Sequence, residues 1–394
     1  MKILIINSGS SSIKFQLIQM PETAVLASGM VERIGIEDGL ISYKNATNDS
    51  SLKLDFPDHA SGLQKIAELL MDPDLGVIKS ADEIDAVGHR IVHGGKQFTE
   101  TTQVTEEVKA NIKRLFSLAP LHNPAHLTGI EVAEDLFKNA PQICVFDTAF
   151  FTTIPQMAYQ YAIPKHFMED SRIRLYGFHG TSHKYVSEKA IEHLGNPEAK
   201  LITIHLGNGC SMAAIKNGKA IDTSMGFGPA NGLIMGTRAG DIDQSVIFYM
   251  QEHLGYSVKE VSDILLKKSG MLGLTGYSDL RDIEAAAAEG DEVCALALDM
   301  NAYRIRKFIG AYAAALNGID AIVFTAGIGE NSNTIRSKVC KEMEYLGIEL
   351  DESLNGQRSK KLREIQSAFS KVKVMVIPTN EELAIATQVF DLIK

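Results

Sequence analysis

Short apolar runs and alternating apolar and polar residues predict strands in two similar segments of the chain. They are KILIINSGSSSIKFQLI (residues 2–18) and AKLITIHLGNGCSMAAIKNGKAI (residues 199–221). Each segment predicts a strand, a turn of small polar residues and a second strand. Because the pattern recurs roughly two hundred residues later, two related domains are one interpretation. Two unrelated hairpins are the other, and the spacing alone favours neither.

Apolar residues at intervals of three and four predict helices between these segments. This spacing occurs in GLQKIAELLM (62–71) and TEEVKANIKRLFSL (105–118), and CALALDMNAYRIRKFIGAYAAAL (294–316) predicts a long, largely buried helix. Strands that alternate with helices indicate an α/β protein. We expect one domain over residues 1–150 and a second over residues 151–382, with a C-terminal helix at 383–394 that returns to the first domain.

The amino-acid composition argues against some classes of binding partner. The 394 residues are 45% hydrophobic and 22% charged, and the net charge of −10 argues against nucleic acids and acidic membranes as partners. An anionic substrate stays open, because a few local arginines can override the global charge. No segment has the apolar length of a signal peptide or a membrane span. The four scattered cysteines favour a reducing compartment, so we expect a cytoplasmic protein.

Three turns rich in glycine or serine are candidates for phosphate binding. They are NSGSSSIK (7–14), HLGNGCS (205–211) and FTAGIGENS (324–332). Glycine lets backbone N–H groups approach phosphate oxygens closely, and Lys14 adds a positive charge. Each turn also has a purely structural interpretation: a serine-rich hairpin, a tight turn, or a helix capped by Asn331. The P-loop motif GxxxxGK[ST] does not occur in the sequence, so a nucleotide enzyme needs another scaffold here.

An aspartate, a histidine and two arginines are candidates for the chemistry. Asp147 follows an apolar strand, where α/β proteins bind ligands, and its carboxylate is a candidate Mg²⁺ contact. Arg90 lies in GHRIVHGG, and Arg238 lies in a glycine-rich loop that is too apolar for a flexible surface loop. His179 and His183 have the spacing of a zinc pair. We reject zinc because no third ligand is nearby.

In their order, spacing and residues, these motifs resemble those of the acetokinase family. The resemblance covers essentially the whole chain, from NSGSSSIKFQLI at one end to IPTNEELAIA at the other. Between them lie GHRIVHGG, LAPLHNP, VFDTAF, YGFHGTSHKYV, HLGNGCS, TSMGF, GTRAGDID and FTAGIGENS. The family belongs to the superfamily of acetate and sugar kinases, Hsp70 and actin. The resemblance therefore implies two actin-like, ribonuclease H-like domains with a central cleft, and a homodimer that uses the second domain for dimerisation.

The resemblance also implies a reaction. ATP and acetate would give ADP and acetyl phosphate, reversibly and by direct in-line transfer, with Mg²⁺ or Mn²⁺ as cofactor. By the family's pattern, Asn7 and Glu381 belong to the metal site. Asp147 is the catalytic acidic residue, and His179 and Arg238 stabilise the transition state.

Substrate contacts are implied in the same way. Arg90 contacts the carboxylate and phosphoryl groups. The acetate pocket is lined by Val92, Leu121, His122, Phe178 and Pro229. ATP is held by Ser10, Ser12, Lys14, His205, Leu206, Gly207, Asn208, Gly209, Asp279, Leu280, Arg281, Gly327, Ile328, Gly329, Glu330 and Asn331. The sequence departs from the family pattern at Leu280, where phenylalanine is usual, and this leaves the adenosine contacts in doubt.

Chemistry limits the role of Asp147. A carboxylic acid like acetate has a pKa of about 4.3 and is ionised at pH 7, so it needs no general base. The obstacle to the reaction is instead the repulsion between acetate and the γ-phosphoryl group, which are both anions. Arg90 and Arg238 can each clamp oxygens in a bidentate manner, and His179 can reach the equatorial oxygens of the phosphoryl group. We therefore expect Asp147 to order Mg²⁺, its waters or an arginine.

Two other functions stay open at this stage. A propionate or butyrate kinase would share the framework and differ in pocket volume, for which Val92 is the discriminating residue. An ATPase of the actin or Hsp70 type would use the nucleotide to drive assembly or partner binding. Formation of ADP that depends on added acetate distinguishes a kinase from such an ATPase.

Overall fold

The computed structural model describes residues 1–9, 11–120 and 122–394. Its strands, in chain order, are β1 (Lys2–Ser8), β2 (Ser12–Gln19), β3 (Ala24–Glu32), β4 (Leu40–Asn45), β5 (Asp49–Lys53), β6 (Ala86–Ile91), β7 (Thr102–Gln103), β8 (Gln142–Phe146), β9 (Lys200–Leu206), β10 (Cys210–Lys216), β11 (Lys219–Thr223), β12 (Ala321–Thr325), β13 (Arg363–Glu364) and β14 (Lys373–Val376).

The α-helices are α1 (His59–Leu70), α2 (Glu106–Arg114), α3 (Asn123–Leu136), α4 (Gln156–Tyr159), α5 (Lys165–Glu169), α6 (Gly180–Leu194), α7 (Gln244–Glu252), α8 (Val258–Lys267), α9 (Gly270–Thr275), α10 (Leu280–Ala288), α11 (Glu292–Leu316), α12 (Ala326–Asn331), α13 (Asn333–Cys340), α14 (Glu352–Asn355) and α15 (Glu381–Ile393). Short 3₁₀ helices occupy Ala81–Glu83, Ala149–Thr153 and Glu344–Leu346.

The chain divides into two compact units. Unit 1 contains Met1–Phe150 together with Asn380–Lys394, and unit 2 contains Phe151–Thr379. The C-terminal helix α15 thus belongs to unit 1, and it begins two residues before the start that the sequence predicts.

Unit 1 contains a sheet with the strand order β5-β4-β3-β2-β1-β6-β8-β7. Strands β1 to β5 pair antiparallel with their neighbours, because short turns join them. Strands β6 and β8 run parallel to β1, since the chain crosses back through helices α1 and α3 before each of them. The carboxyl ends of β1, β6 and β8 therefore lie along one edge of the sheet.

Unit 2 repeats this plan in the sheet β11-β10-β9-β12-β14-β13. Strands β9, β10 and β11 are antiparallel, and β12 and β14 run parallel to β9. The same five-strand arrangement in both units confirms the α/β class and the interpretation of two related domains. It also brings the carboxyl ends of β9 and β12, and the segments that follow them, to one edge.

Apolar packing fixes α15 on unit 1. Ile385 and Val389 are buried against Ile3, Ile5 and other residues of the first sheet. A side chain at Gly88 on β6 would stand 2.9 Å from Val389, so the glycine is required for the helix to lie this close. Burial of apolar side chains of this size stabilises a protein by about 1.5–3 kcal/mol each. This packing holds the first residue of α15, Glu381, at a fixed place on unit 1.

Helix α11 differs from its prediction. The sequence predicts a largely buried helix, but only one face packs in unit 2, through residues such as Leu298, Ile305 and Ile309. The opposite face exposes Leu296 and Tyr303, which are 60% and 58% exposed. An apolar residue therefore does not by itself mark the buried face of this helix.

Two expectations from composition can be compared with the fold. All four cysteines lie in the described part of the chain, where they are buried and form no disulfide. Within residues 1–9, 11–120 and 122–394, no helix has both the length and the apolar character needed to cross a membrane.

Candidate active site

Three predicted residues meet where the parallel strands of unit 1 end. Asn7 lies near the end of β1, Arg90 near the end of β6, and Asp147 directly after β8. The guanidinium of Arg90 forms an ion pair with Asp147 through Nη2 and donates from Nη1 to Asn7 Oδ1 at 3.3 Å. Glu381, at the first turn of α15, places Oε2 3.7 Å from Arg90 Nε. The fold thus gathers Asn7, Arg90, Asp147 and Glu381 from four elements.

Electrostatics of this cluster favour a charged arginine. Burial opposes the positive charge of Arg90, but the carboxylates of Asp147 and Glu381 outweigh burial and raise its pKa. Burial raises the pKa of Glu381, and Arg90 partly offsets that rise. The side chains of Arg90 and Glu381 are 17% and 21% exposed, whereas that of Asp147 is 1% exposed, so the arginine and Glu381 are the members of the cluster most open to a ligand.

The histidines beside Arg90 are structural. The ring of His89 is buried and lies 2.8 Å from Gln142 Oε1, and burial lowers its pKa to about 4. His93 is also buried, its Nδ1 accepts from the N–H of Gly95 at 3.0 Å, and burial lowers its pKa to about 4. Both rings are therefore neutral near pH 7. The motif GHRIVHGG presents one cation, which is Arg90, rather than a group of them.

Two predicted acetate-pocket residues of unit 1, Val92 and His122, both contact His126. Val92 is 8% exposed and follows the end of β6, so the predicted continuous strand from Arg90 to Val92 stops one residue early. The Val92 N–H donates to His126 Nδ1 at 3.4 Å. His122 precedes α3, and its ring stacks on that of His126 with centroids 6.3 Å apart. Leu121 lies outside the described residues.

Lys14 extends from β2, where it pairs directly with Asn7 of β1. Its Nζ forms an ion pair with Glu382 Oε1 at 2.5 Å, and its side chain is 49% exposed. The turn before it is tight, because the N–H of Gly9 donates to the carbonyl of Ser12 at 2.7 Å. Ser10 lies outside the described residues. Glu382 was not predicted from the sequence, although it adjoins the predicted Glu381.

His179 has an unusual backbone conformation. Its φ is +59°, in the left-handed region that non-glycine residues rarely adopt, and helix α6 begins directly after it. Its Nδ1 lies 2.8 Å from Ser211 Oγ, and Ser211 Oγ lies 2.8 Å from Nε2 of the buried His183. Burial, reinforced by His205, lowers the pKa of His183 well below its ordinary value. A chain of hydrogen bonds thus orients the ring of His179.

Arg238 and His179 both lie beside Gly209. A Cβ on Gly209 would stand 3.3 Å from His179 Nε2 and 3.8 Å from Arg238 Nη1, so glycine leaves space next to both groups. Arg238 Nη1 donates to the carbonyl of Pro229 at 3.0 Å, and burial lowers the pKa of Arg238. Phe178, beside His179, is 4% exposed. Unit 2 therefore brings together four of the predicted residues: Phe178, His179, Pro229 and Arg238.

A cavity of about 730 Å³ in unit 2 contains half of the predicted nucleotide residues. They are Gly207, Asn208, Asp279, Leu280, Arg281, Gly327, Ile328 and Asn331. Its volume is within the range of small-molecule sites. Leu280, the departure from the family pattern, is part of this wall. Five other predicted nucleotide residues of unit 2 do not line this cavity: His205, Leu206, Gly209, Gly329 and Glu330. The Glu330 carboxylate instead accepts from the N–H of Thr379 at 3.0 Å.

The structure adds four residues to the cavity wall: Ser278, Glu284, Ser332 and Arg358. Ser278 directly precedes Asp279, and Ser332 is the last residue of the motif FTAGIGENS. Glu284 follows Leu280 by one helical turn, so helix periodicity was an available signal for it. Arg358 lies in the polar segment QRSKKLR, where no pattern indicates a binding site. The predicted turn after β12 is instead helix α12, and its first residue, Ala326, has φ +65°, a strained backbone of the kind that is frequent at functional sites.

The described residues include no cluster of three or more His, Cys, Asp or Glu side chains arranged to hold a metal ion. Oxygen atoms of a type that can bind a metal nevertheless surround Arg90, and they belong to Asn7, Asp147 and Glu381.

Known proteins are similar to this chain over its whole length. The family model of the acetokinase family matches residues 2–387. The chain is 63% identical over 394 residues to the acetate kinase of Flavobacterium johnsoniae, and the match covers 100% of both chains.

Two solved structures are similar over nearly their whole length. The crystal structure of Porphyromonas gingivalis acetate kinase matches with a TM-score of 0.95 and 46% identity over 100% of both chains. That of a propionate kinase from Francisella tularensis matches with a TM-score of 0.93 and 40% identity over 98% of both chains. Since both the family model and the relatives span essentially the full length, the chain belongs to the acetokinase family.

Proposed function

We propose that the protein is an acetate kinase, which transfers the γ-phosphoryl group of ATP to the carboxylate of acetate and catalyses the reverse reaction. The observation that supports this most strongly is the 63% identity to an acetate kinase over the full length of both chains. The geometry agrees, because unit 1 presents a partly exposed arginine beside Val92 and unit 2 contains a cavity of nucleotide size with an arginine and a histidine nearby.

Cationic and hydrogen-bonding side chains of the protein would offset the repulsion between the acetate carboxylate and the γ-phosphoryl group of ATP. Arg90 would hold the carboxylate of acetate, and Arg238 and His179 would donate to the transferring phosphoryl group, whose oxygens bear the charge in a loose transition state. Preorganised donors of this kind need no rearrangement during the reaction. The hydrogen bonds to Asn7, Asp147, Ser211 and Pro229 would hold these donors in place. Asp147 is thus an orienting partner of Arg90 and not a proton acceptor.

We propose that Mg²⁺ assists the reaction, with Asn7, Asp147 and Glu381 as the candidate protein partners. Their amide and carboxylate oxygens are the ligand types that Mg²⁺ prefers, and Mg²⁺ usually takes only one or two protein ligands beside water and substrate phosphates. This fits a site without a cluster of three or more His, Cys, Asp or Glu ligands among the described residues. When bound, the ion would neutralise charge on the phosphates of ATP. Mn²⁺ has the same ligand preference.

We also propose a homodimer. Unit 2 exposes apolar residues on α7, α8 and α11, including Phe248 at 56%, Val258 at 74% and Leu296 at 60%. A surface with several exposed apolar residues often marks a protein interface. Sedimentation equilibrium that gave the mass of one chain at micromolar concentration would contradict this proposal.

The first prediction concerns the reaction. Purified protein with ATP and Mg²⁺ should form an acyl phosphate, trapped with hydroxylamine, and ADP only when a short carboxylate is added. Acetate should give the highest kcat/KM among acetate, propionate and butyrate. ADP release without any carboxylate would indicate an ATPase, and a preference for propionate would indicate a propionate kinase.

The second prediction concerns the acyl pocket. Val92→Ala should raise the ratio of kcat/KM for propionate to that for acetate, because it opens space for about two methylene groups; one methylene typically discriminates by about 10- to 200-fold at most. Val87→Ala is the matched control, since Val87 is a fully buried valine in β6, the strand that ends directly before Val92. The control should reduce stability and leave the ratio unchanged. An unchanged ratio in Val92→Ala would show that Val92 does not line the pocket.

The third prediction concerns the two arginines. Arg90→Lys and Arg238→Lys keep the charge but lose the bidentate fork, so each should reduce kcat by about 10²- to 10³-fold. Arg306→Lys is the control, because Arg306 donates to the backbone carbonyl of Lys341 at 3.1 Å and lies outside the predicted site. Circular dichroism should show the same fold in all three variants. Turnover near that of the wild type in either site variant would refute its assignment.

The fourth prediction concerns the metal. Glu381→Gln should raise the Mg²⁺ concentration that gives the half-maximal rate, because the amide binds Mg²⁺ more weakly than the carboxylate does. The KM for acetate, measured at saturating Mg²⁺, should change much less. A variant in which only the acetate KM rises would place Glu381 in the acetate site instead.

A further inference from the structure

The loop between β11 and α7 contains two residues assigned above to the substrates, Pro229 and Arg238. No helix or strand is formed over residues 224–243 of this described segment, so its position depends on individual hydrogen bonds. Arg238 Nη1 donates to the carbonyl of Pro229 at 3.0 Å. The orientation of the Arg238 side chain therefore depends on the position of Pro229.

The C-terminal part of this loop is fixed by its own polar groups. The N–H of Gly232 donates to Asp241 Oδ1 at 2.7 Å, and Arg304 donates to the carbonyl of Gly232 at 3.0 Å. Gly232 has φ +90°, a conformation that suits glycine. These contacts hold the segment after Pro229 but do not involve the residues that precede it.

Tyr161 fixes the N-terminal part. Its Oη accepts a hydrogen bond from the N–H of Phe227 at 2.8 Å, two residues before Pro229. A Cβ on Gly226 would stand 2.3 Å from the same Oη, so the hydroxyl packs against the backbone at Gly226. The N–H of Tyr176 also donates to the carbonyl of Gly226, at 3.1 Å. Tyr161 lies in none of the sequence motifs and was not predicted.

We propose that Tyr161 is a positioning residue that sets the acyl-chain selectivity and the placement of Arg238. The inference depends on the proposed function, in which Pro229 lines the acyl pocket. Tyr161 acts through the Phe227 N–H on the 226–229 turn, and the Pro229 carbonyl then orients Arg238. The hydroxyl does not touch the substrate in this scheme.

Tyr161→Phe removes one oxygen atom and tests the inference directly. Loss of a hydrogen bond of this kind should lower kcat/KM for acetate by about 2- to 10-fold, because the turn samples other positions. The ratio of kcat/KM for propionate to that for acetate should change by more than twofold, while the KM for ATP stays within twofold of the wild type. A purely structural role would not move the ratio.

Tyr43→Phe is the matched control. Tyr43 is a buried tyrosine of unit 1 whose Oη donates to the carbonyl of Leu75 at 3.0 Å. It loses a comparable hydrogen bond at a position outside the proposed site. This variant should have a lower melting temperature and unchanged kinetic constants.

A second variant alters the contact of Tyr161 Oη by a change at Gly226. Gly226→Ala adds a methyl group that meets Tyr161 Oη, and no positive φ forbids alanine there. It should shift the propionate-to-acetate ratio, and the shift should be smaller in the Tyr161→Phe background, because the displaced oxygen is then absent.

The outcomes separate the two levels of inference. A wild-type protein that forms no acyl phosphate would overturn the proposed function itself. An active wild type, with a propionate-to-acetate ratio that is the same in Tyr161→Phe, would overturn the role of Tyr161 alone. A variant that loses stability and raises every KM equally would likewise assign Tyr161 to the general fold.

Discussion

The ion cluster around Arg90 is the interaction on which the organisation of unit 1 depends. A partly buried guanidinium is costly unless carboxylates face it, and removal of one partner of such a pair typically costs about 3–5 kcal/mol. Asp147 directly follows β8, the strand next to that of Arg90, whereas Glu381 comes from the other end of the sequence. This requirement gives a physical reason for the chain to return to unit 1 with α15. The apolar contacts of Ile385 and Val389 then hold that helix in place.

Arg238 of unit 2 is oriented by a different kind of contact from Arg90. Among the described residues of this unit, no carboxylate forms an ion pair with Arg238, which instead donates to the backbone carbonyl of Pro229. Burial lowers its pKa without an acidic partner to restore it. Such a guanidinium keeps an uncompensated positive charge, which an anion can neutralise. Glycine at position 209 leaves space beside it, so charge and access occur at the same place.

The sequence predicted what depends on local pattern. Strand alternation indicated both sheets, and glycine motifs after strands indicated residues that line the cavity of unit 2. Residues that act across long sequence distances were not predictable in this way. Glu382 pairs with Lys14, and Tyr161 contacts Phe227, only because the fold brings them together. Helix α11 was misjudged for a related reason: apolar residues on both faces do not reveal which face another surface covers.

Formal charge gives the last constraint on the chemistry. In unit 1, Arg90 and Lys14 face three carboxylates, from Asp147, Glu381 and Glu382, which leaves an excess of one negative charge. A site that bound anions by itself would not have more carboxylates than cations. One divalent cation reverses that balance and makes the same residues attractive to phosphate oxygens. Under the proposed function, the carboxylates would therefore prepare unit 1 for a metal and a phosphate together, and an ionised acetate does not require them as proton acceptors.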